Sequence, residues 1–246
     1  MNFNSYIVSE TKTALSVPVS ISVLPPKKTL KQKAFTLAEV LITLSIIGVV
    51  AAMTVPTLMA NANKQIYTTK LKKVYSTMQN AVKMMPLSVG CSAGEYSCVT
   101  IGQENHFDAR IFADQFKVVK DFDTCKIDYT LPQSLYVNSC FQLEDGTTFF
   151  FRNTSSGDIY AASIGVDLNG EKGPNKIGRD IFMFQITSYE KQNIKIGTVM
   201  PYGSKIFHEY SYVYWKDKCT DNTVKQQNWD ALMCAGRVLE EGKMNY

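Results

Sequence analysis

The feature that most limits what this chain can become is a run of 29 residues, Phe35 to Asn63, in which Glu39 is the only formal charge. As a helix rising 1.5 Å per residue, the run reaches about 43 Å. About 20 such residues already cross the hydrocarbon core of a bilayer. A single membrane-spanning helix is therefore expected. Just ahead of it stand Lys27, Lys28, Lys31 and Lys33, a basic cluster that predicts a cytoplasmic leader and an external remainder. Residues 1–34 hold five lysines and one acid, Glu10, while the other 212 of the 246 residues balance 21 basic against 21 acidic side chains. The whole +4 excess thus precedes the apolar run. That pattern fits a targeting leader and excludes a nucleic-acid-binding surface as the reason for the charge. No nucleic-acid partner is expected.

All six cysteines, Cys91, Cys98, Cys125, Cys140, Cys219 and Cys234, follow the apolar run. An even number on one side of a membrane segment points to disulfides in an oxidising compartment. Zinc is the weaker reading, because there is no Cys-x-x-Cys pair and the two histidines, His106 and His208, are far apart. Pairing between sequence neighbours is the simplest arrangement: Cys91 with Cys98, Cys125 with Cys140, Cys219 with Cys234.

Beyond the apolar run, Tyr67, Leu71, Val74, Met78, Val82 and Met85 recur at three- and four-residue steps, with Lys64, Lys70, Lys72, Lys73 and Lys83 on the remaining surface. This predicts one long helix over 35–86, membrane-spanning over 35–58 and amphipathic over 59–86. Pro56 should bend it, and Pro86 and Gly90 should stop it. Residues 87–246 read as a strand-rich head, giving an α+β fold class. A short helix is expected around Phe107, Ile111, Phe112 and Phe116. Ser134–Leu143 and Thr147–Arg152 flank Glu144-Asp145-Gly146, a hairpin signal. Further strands are expected at Ile159–Val166, Asp180–Thr187 and Ile194–Val199, and a last helix at Asp230–Glu241 ended by Gly242. The aromatic runs Phe149–Phe151 and Tyr210–Trp215 read as strand core.

Glu39 is out of place in a plain anchor, since a carboxylate inside a lipid-spanning helix costs about 2.5–3.5 kcal/mol on insertion scales. The segment Lys33-Ala34-Phe35-Thr36-Leu37-Ala38-Glu39-Val40-Leu41-Ile42-Thr43-Leu44 resembles the cleavage and methylation motif of type IV prepilins and type II secretion pseudopilins. The resemblance implies a basic leader, residues 1–34, that a prepilin peptidase cuts between Ala34 and Phe35. It implies N-methylation of the new N-terminal Phe35 and an assembly role for Glu39, paired with the Phe35 amine of a neighbouring subunit. Gly48 and Pro56 match the helix-loosening positions of the same family. Ala34 stands where the family usually has Gly, and the leader is long for the family. The implied partners are identical or homologous pilin subunits, the prepilin peptidase, the assembly machinery and the membrane. The implied location is the cytoplasmic membrane with the head outside, then a filament or the cell surface.

The implied function is structural rather than enzymatic: a subunit polymerised into a type IV pilus or a secretion pseudopilus. Two other readings stand beside it. One is an anchored extracytoplasmic binding or hydrolytic domain that never polymerises, and the other is a competence pseudopilin for DNA uptake. No catalytic motif is present: no His-Glu-x-x-His, Gly-x-Ser-x-Gly or Walker loop. No cofactor is required by these features. Asp167, Asn169 and Glu171, with Asp180 further on, alternate oxygen donors in a turn-rich loop. That spacing suits a structural Ca²⁺ site, or equally a plain turn held by Asx hydrogen bonds.

Overall fold

A computed structural model describes residues 35–101, 106–127, 139–153, 159–187, 190 and 193–246. The leader with Ala34, and the expected strand start at 134–138, lie outside the described residues. The described residues fall into two units that divide between Val50 and Ala51.

Helix α1 runs Leu37–Ser88. In the first unit its apolar side chains are exposed on all sides, from Leu37 to Val50. Thr43 and Ser45 return their hydroxyls to the carbonyls of Val40 (3.0 Å) and Leu41 (2.8 Å), so neither presents an unpaired donor. In the second unit exposure continues through Leu58 and Met59, and then one stripe turns inward. Leu71, Val74, Met78, Val82 and Met85 are buried, and Tyr67 packs against them at the edge. These are the positions the three- and four-residue spacing selects. Pro86 does not stop the helix: it is buried in the last turn, and the helix continues to Ser88. The chain leaves the helix at Gly90, whose φ of +84° costs a glycine little.

The head is built on six antiparallel strands in sequence order: β3 (Val118–Lys120), β4 (Ser139–Leu143), β5 (Thr148–Asn153), β6 (Ile159–Asp167), β7 (Ile181–Ile186) and β8 (Val199–Pro201). A separate pair, β1 (Thr100–Ile101) and β2 (His106–Phe107), precedes them, with α2 (Ala109–Ala113) following. The expected hairpin is present, β4 and β5 pairing Phe141 with Phe149 and Ser139 with Phe151. Alternation puts Phe149 and Phe151 on one face and Phe150 on the other. On the first face Phe141, Phe149 and Phe151 join Phe112, Phe116 and Phe122, with ring centroids 4.9–6.3 Å apart. Helix α1 reaches the sheet through Tyr75, which stacks on Phe184 and donates its hydroxyl to the Val199 carbonyl.

Three expectations change. The strand expected at Ile194–Val199 is mostly turn, because Gly197 takes φ +79° and Thr187 draws the carbonyl of Lys195 onto its hydroxyl; the strand itself is Val199–Pro201. The aromatic run 210–215 is not a strand. It closes helix α3 (Lys205–Ser211), whose C-cap Tyr212 is left-handed, and opens a short 3-10 turn at Trp215–Asp217. The last helix is split: Trp229–Met233 is 3-10, and α5 proper is Cys234–Glu241, ended by Gly242. Helix α4 (Asp221–Gln226) stands between, capped by Thr220.

All six cysteines are paired as sequence neighbours. Cys125–Cys140 ties the segment after β3 to β4, and Cys219–Cys234 ties the approach to α4 to the start of α5. A closed loop of about 15 residues is worth roughly 3 kcal/mol in the chain-entropy account.

Gly165 in β6 lies opposite Phe150. A Cβ there would come within 1.8 Å of the Phe150 ring, which is itself buried. Gly165→Ala is expected to destabilise the head by about 1–3 kcal/mol, a fall in Tm of roughly 3–10 °C for a chain of this size. Near-ultraviolet circular dichroism of the melting protein reads this, and an unchanged Tm would show that the ring does not cover the glycine.

Candidate functional site

The first turn of α1 is a reciprocal cap. The Glu39 amide donates to Thr36 Oγ1 (3.2 Å), while Thr36 donates to Glu39 Oε2 through both its amide (2.8 Å) and its hydroxyl (2.9 Å). The amide of Val40 takes the Thr36 carbonyl as the first intrahelical bond. This is a capping box: a Thr at the N-cap and a Glu three residues on satisfy amides that the helix leaves without partners. The signal, Thr36-Leu37-Ala38-Glu39 ahead of an apolar run, is present in the sequence. There the charge of Glu39, and the question of what pairs with it, hides the cap. Glu39 Oε1 takes no hydrogen bond from a described residue.

Phe35 directly precedes this cap and is 84% exposed. Gly48 has open space around it: a Cβ at that position would have nothing within 4 Å. Pro56 lies within α1, where it has no amide to give the carbonyl one turn earlier. Phe35, Glu39, Gly48 and Pro56 thus share one exposed apolar segment, and Ala34 falls outside the described residues.

Of the four candidate calcium donors, Asp167, Asn169 and Asp180 lie around Tyr67, with the Asn169 side chain bonded to Asp180, while Glu171 stands apart. Asp167 and Asp180 are both buried, and three of their four carboxylate oxygens accept from backbone amides. Asp167 Oδ1 accepts from the amides of Asn169 (3.0 Å) and Gly170 (2.9 Å). Asp180 accepts from Asn175 at Oδ2 (2.8 Å) and from Lys176 at Oδ1 (2.7 Å). Asn169 points its amide group at the Lys172 and Gly173 carbonyls and the Tyr67 hydroxyl. Glu171 is exposed and lies 3.9 Å from Lys120. Among the described residues no three acidic, histidine or cysteine side chains converge as metal ligands. Asx hydrogen bonds hold this turn, while Asn169 Oδ1 is buried and takes no hydrogen bond from a described residue. Burial pushes the Asp180 carboxyl above the usual carboxylate range, and the Lys176 and Asn175 amides pull against it.

Several segments of the head, this loop among them, hold α1 through polar contacts. Tyr67 meets Asn169, Lys70 meets Asp145 at 3.7 Å, Lys72 donates to the Gly242 carbonyl and Tyr75 to that of Val199. At the far side, Tyr246 is buried, donates its hydroxyl to the Gly178 carbonyl at 2.7 Å, and lies under the guanidinium groups of Arg179 and Arg237. Nothing in the spacing of residues 237–246 announces that contact. Of the two histidines, His106 belongs to β2 and His208 to α3.

A prokaryotic N-terminal methylation motif matches residues 29–55. A family of unknown function (DUF6613) matches residues 57–240. No curated protein and no solved structure matches the chain. Residues 29–55 thus carry a prepilin-type signal, as the string from Lys33 to Leu44 implied.

Asp180→Ala is expected to leave the Asn175 and Lys176 amides without partners, at about 1–3 kcal/mol for each donor left unsatisfied. The Tm of the purified protein should fall by several degrees. Equal melting of variant and wild type would mean that this carboxylate does not hold the turn.

Proposed function

We propose that this chain, which belongs to the family of unknown function (DUF6613), is a structural subunit whose processed form is built into a type IV pilus or a type II secretion pseudopilus. It is a prepilin-type protein anchored by one apolar helix. In this reading prepilin peptidase removes residues 1–34 and methylates Phe35, and the assembly machinery then draws the helix into a bundle of identical or homologous subunits. Its role there is mechanical rather than enzymatic.

The observation that carries the reading is the capping box at the head of an apolar helix exposed on every side. Such a helix needs lipid or other helices around it. Cleavage before Phe35 leaves a cationic amine one residue from the cap. Oε2 of Glu39 is committed to Thr36, and Oε1 is left to accept from the amine of a neighbouring copy. Two charges that are each costly in a low-dielectric bundle then offset one another and set the register.

Support for an external head comes from the three disulfides. The lysines do not decide it. Lys27, Lys28, Lys31 and Lys33 precede the apolar run, and Lys64, Lys70, Lys72 and Lys73 follow it closely, so the positive-inside rule has four cations on each side to weigh.

Two substitutions separate the cap from the charge. Glu39→Gln keeps a capping box, since Gln serves at that position, but removes the anion; Glu39→Val removes both. Both proteins are expected to be inserted and processed, and both should be nearly absent from sheared filaments. Losing one partner of a buried pair costs about 3–5 kcal/mol, a several-hundredfold penalty or more per subunit. Immunoblots of membrane and filament fractions give the answer. Normal incorporation of Glu39→Gln would mean that Glu39 acts only as a cap. Absence of the wild type itself from filaments would favour an anchored domain that never polymerises.

A further inference from the structure

Residues 59–88 of α1 contain five lysines and no acid. Lys70 is used on Asp145, and Lys72 donates to the Gly242 carbonyl at the C-terminal end of α5. Lys64 is partly buried, and its ammonium has no hydrogen-bond or ion-pair partner among the described residues. Burial, then the nearby Arg179, lower its pKa, and Asp221 works the other way. Asp221 is already held by Arg179 and Lys225.

Lys64 opens onto a pocket of about 580 Å³ within the second unit, lined by Asn61, Thr68, Lys72, Lys243 and Asn245 besides Lys64. No aspartate or glutamate lines it. The closest acid in sequence, Glu241, is engaged by Arg237 and Asn245. A cavity lined by three lysines and no acidic side chain makes a site for an anion.

Its level on the helix says which anion. The exposed apolar side chains of the run end at Leu58 and Met59. At 1.5 Å per residue, Asn61 lies about 4.5 Å beyond Leu58 along the axis and Lys64 about 9 Å. The polar zone of a bilayer is about 5–7 Å deep on each side, and a lysine can snorkel several ångströms along its stem. The mouth of the pocket therefore sits at headgroup depth, whichever side of the membrane the head occupies.

We propose that this pocket binds the phosphate of an anionic phospholipid, with Lys64 and Lys243 as its charge partners and Asn61 and Asn245 as hydrogen-bond donors. The bound lipid would fix the depth of the subunit in the bilayer. The proposal rests on the single-helix anchor and not on polymerisation, so its failure leaves the processing and filament results untouched.

The test uses the full chain in nanodiscs of phosphatidylcholine, with or without phosphatidylglycerol, read by native mass spectrometry for retained lipid and by melting temperature. Wild type should retain phosphatidylglycerol in preference to phosphatidylcholine and melt higher in its presence. Each surface lysine contributes roughly fivefold to such binding, so Lys64→Gln with Lys243→Gln should cut retention about 25-fold. Lys72 is spared because it caps α5. Lys83→Gln, on the same helix but away from the pocket, should change nothing, and circular dichroism checks that each variant is folded. Equal retention by the double variant and wild type would overturn the proposal. So would a rise in Tm with inorganic phosphate in phosphatidylcholine discs as large as that with phosphatidylglycerol, since the site would then take free phosphate. Unchanged lipid retention with lost subunit–subunit crosslinking in the double variant would assign the pocket to the carboxylates of a neighbouring copy instead.

Discussion

An apolar helix that the described residues of its own chain leave uncovered must be covered by something else. In this protein that constraint falls on residues 37–59, whose large side chains are exposed. Lipid meets it for an isolated subunit, and packed helices meet it in an assembly. The carboxylate at the head of the segment is the exception. Glu39 resolves part of its cost locally, by taking the Thr36 amide and hydroxyl on one oxygen, and in doing so it satisfies one amide at the start of the helix. What remains of its cost is the unpaired half of an anion. A neighbour's N-terminal amine is the charge that assembly would bring to it.

The other end of α1 has the opposite problem, because it must be held by the head it supports. Its buried stripe supplies apolar area, but direction comes from polar clasps on successive turns, Tyr67, Lys70, Lys72 and Tyr75, each reaching a different segment of the head. The head answers with an all-antiparallel meander whose neighbouring strands are sequence neighbours. Four residues join β4 to β5, whereas 18 separate β3 from β4, and the Cys125–Cys140 disulfide closes that longer connection. The core is made specific by rings of phenylalanine on one face, and on the other by a glycine that leaves room for Phe150.

The helix, the hairpin about Asp145-Gly146 and the strands β6 and β7 were legible because each rests on a long periodic or alternating pattern. Helices α3 and α4 were not, since seven and six residues are too few to show a period, although the caps Ser204 and Thr220 stood in view. Pro86 misled because a proline near the end of a helix removes one bond and does not oblige the chain to turn; Gly90 does that. The loop at 167–180 is a case of another kind. Alternating oxygen donors serve a cation or the backbone equally well, and the amides of Asn169, Gly170, Asn175 and Lys176 that take Asp167 Oδ1 and both Asp180 oxygens leave no mark in the spacing. At the candidate site the methylation motif was legible in the string from Lys33 to Leu44 and the capping role of Thr36 was not, and the lysines after the apolar run weaken an orientation argument that counts only those before it.

The most direct measurement is the mass of the N-terminal peptide of this protein recovered from sheared filaments. The account predicts a chain that begins at N-methylated Phe35, with residues 1–34 gone and the Thr36–Glu39 cap intact behind it. Recovery of the protein in filaments with the leader still attached would contradict cleavage as the step that creates the amine for Glu39, and with it the pairing on which assembly is argued to depend.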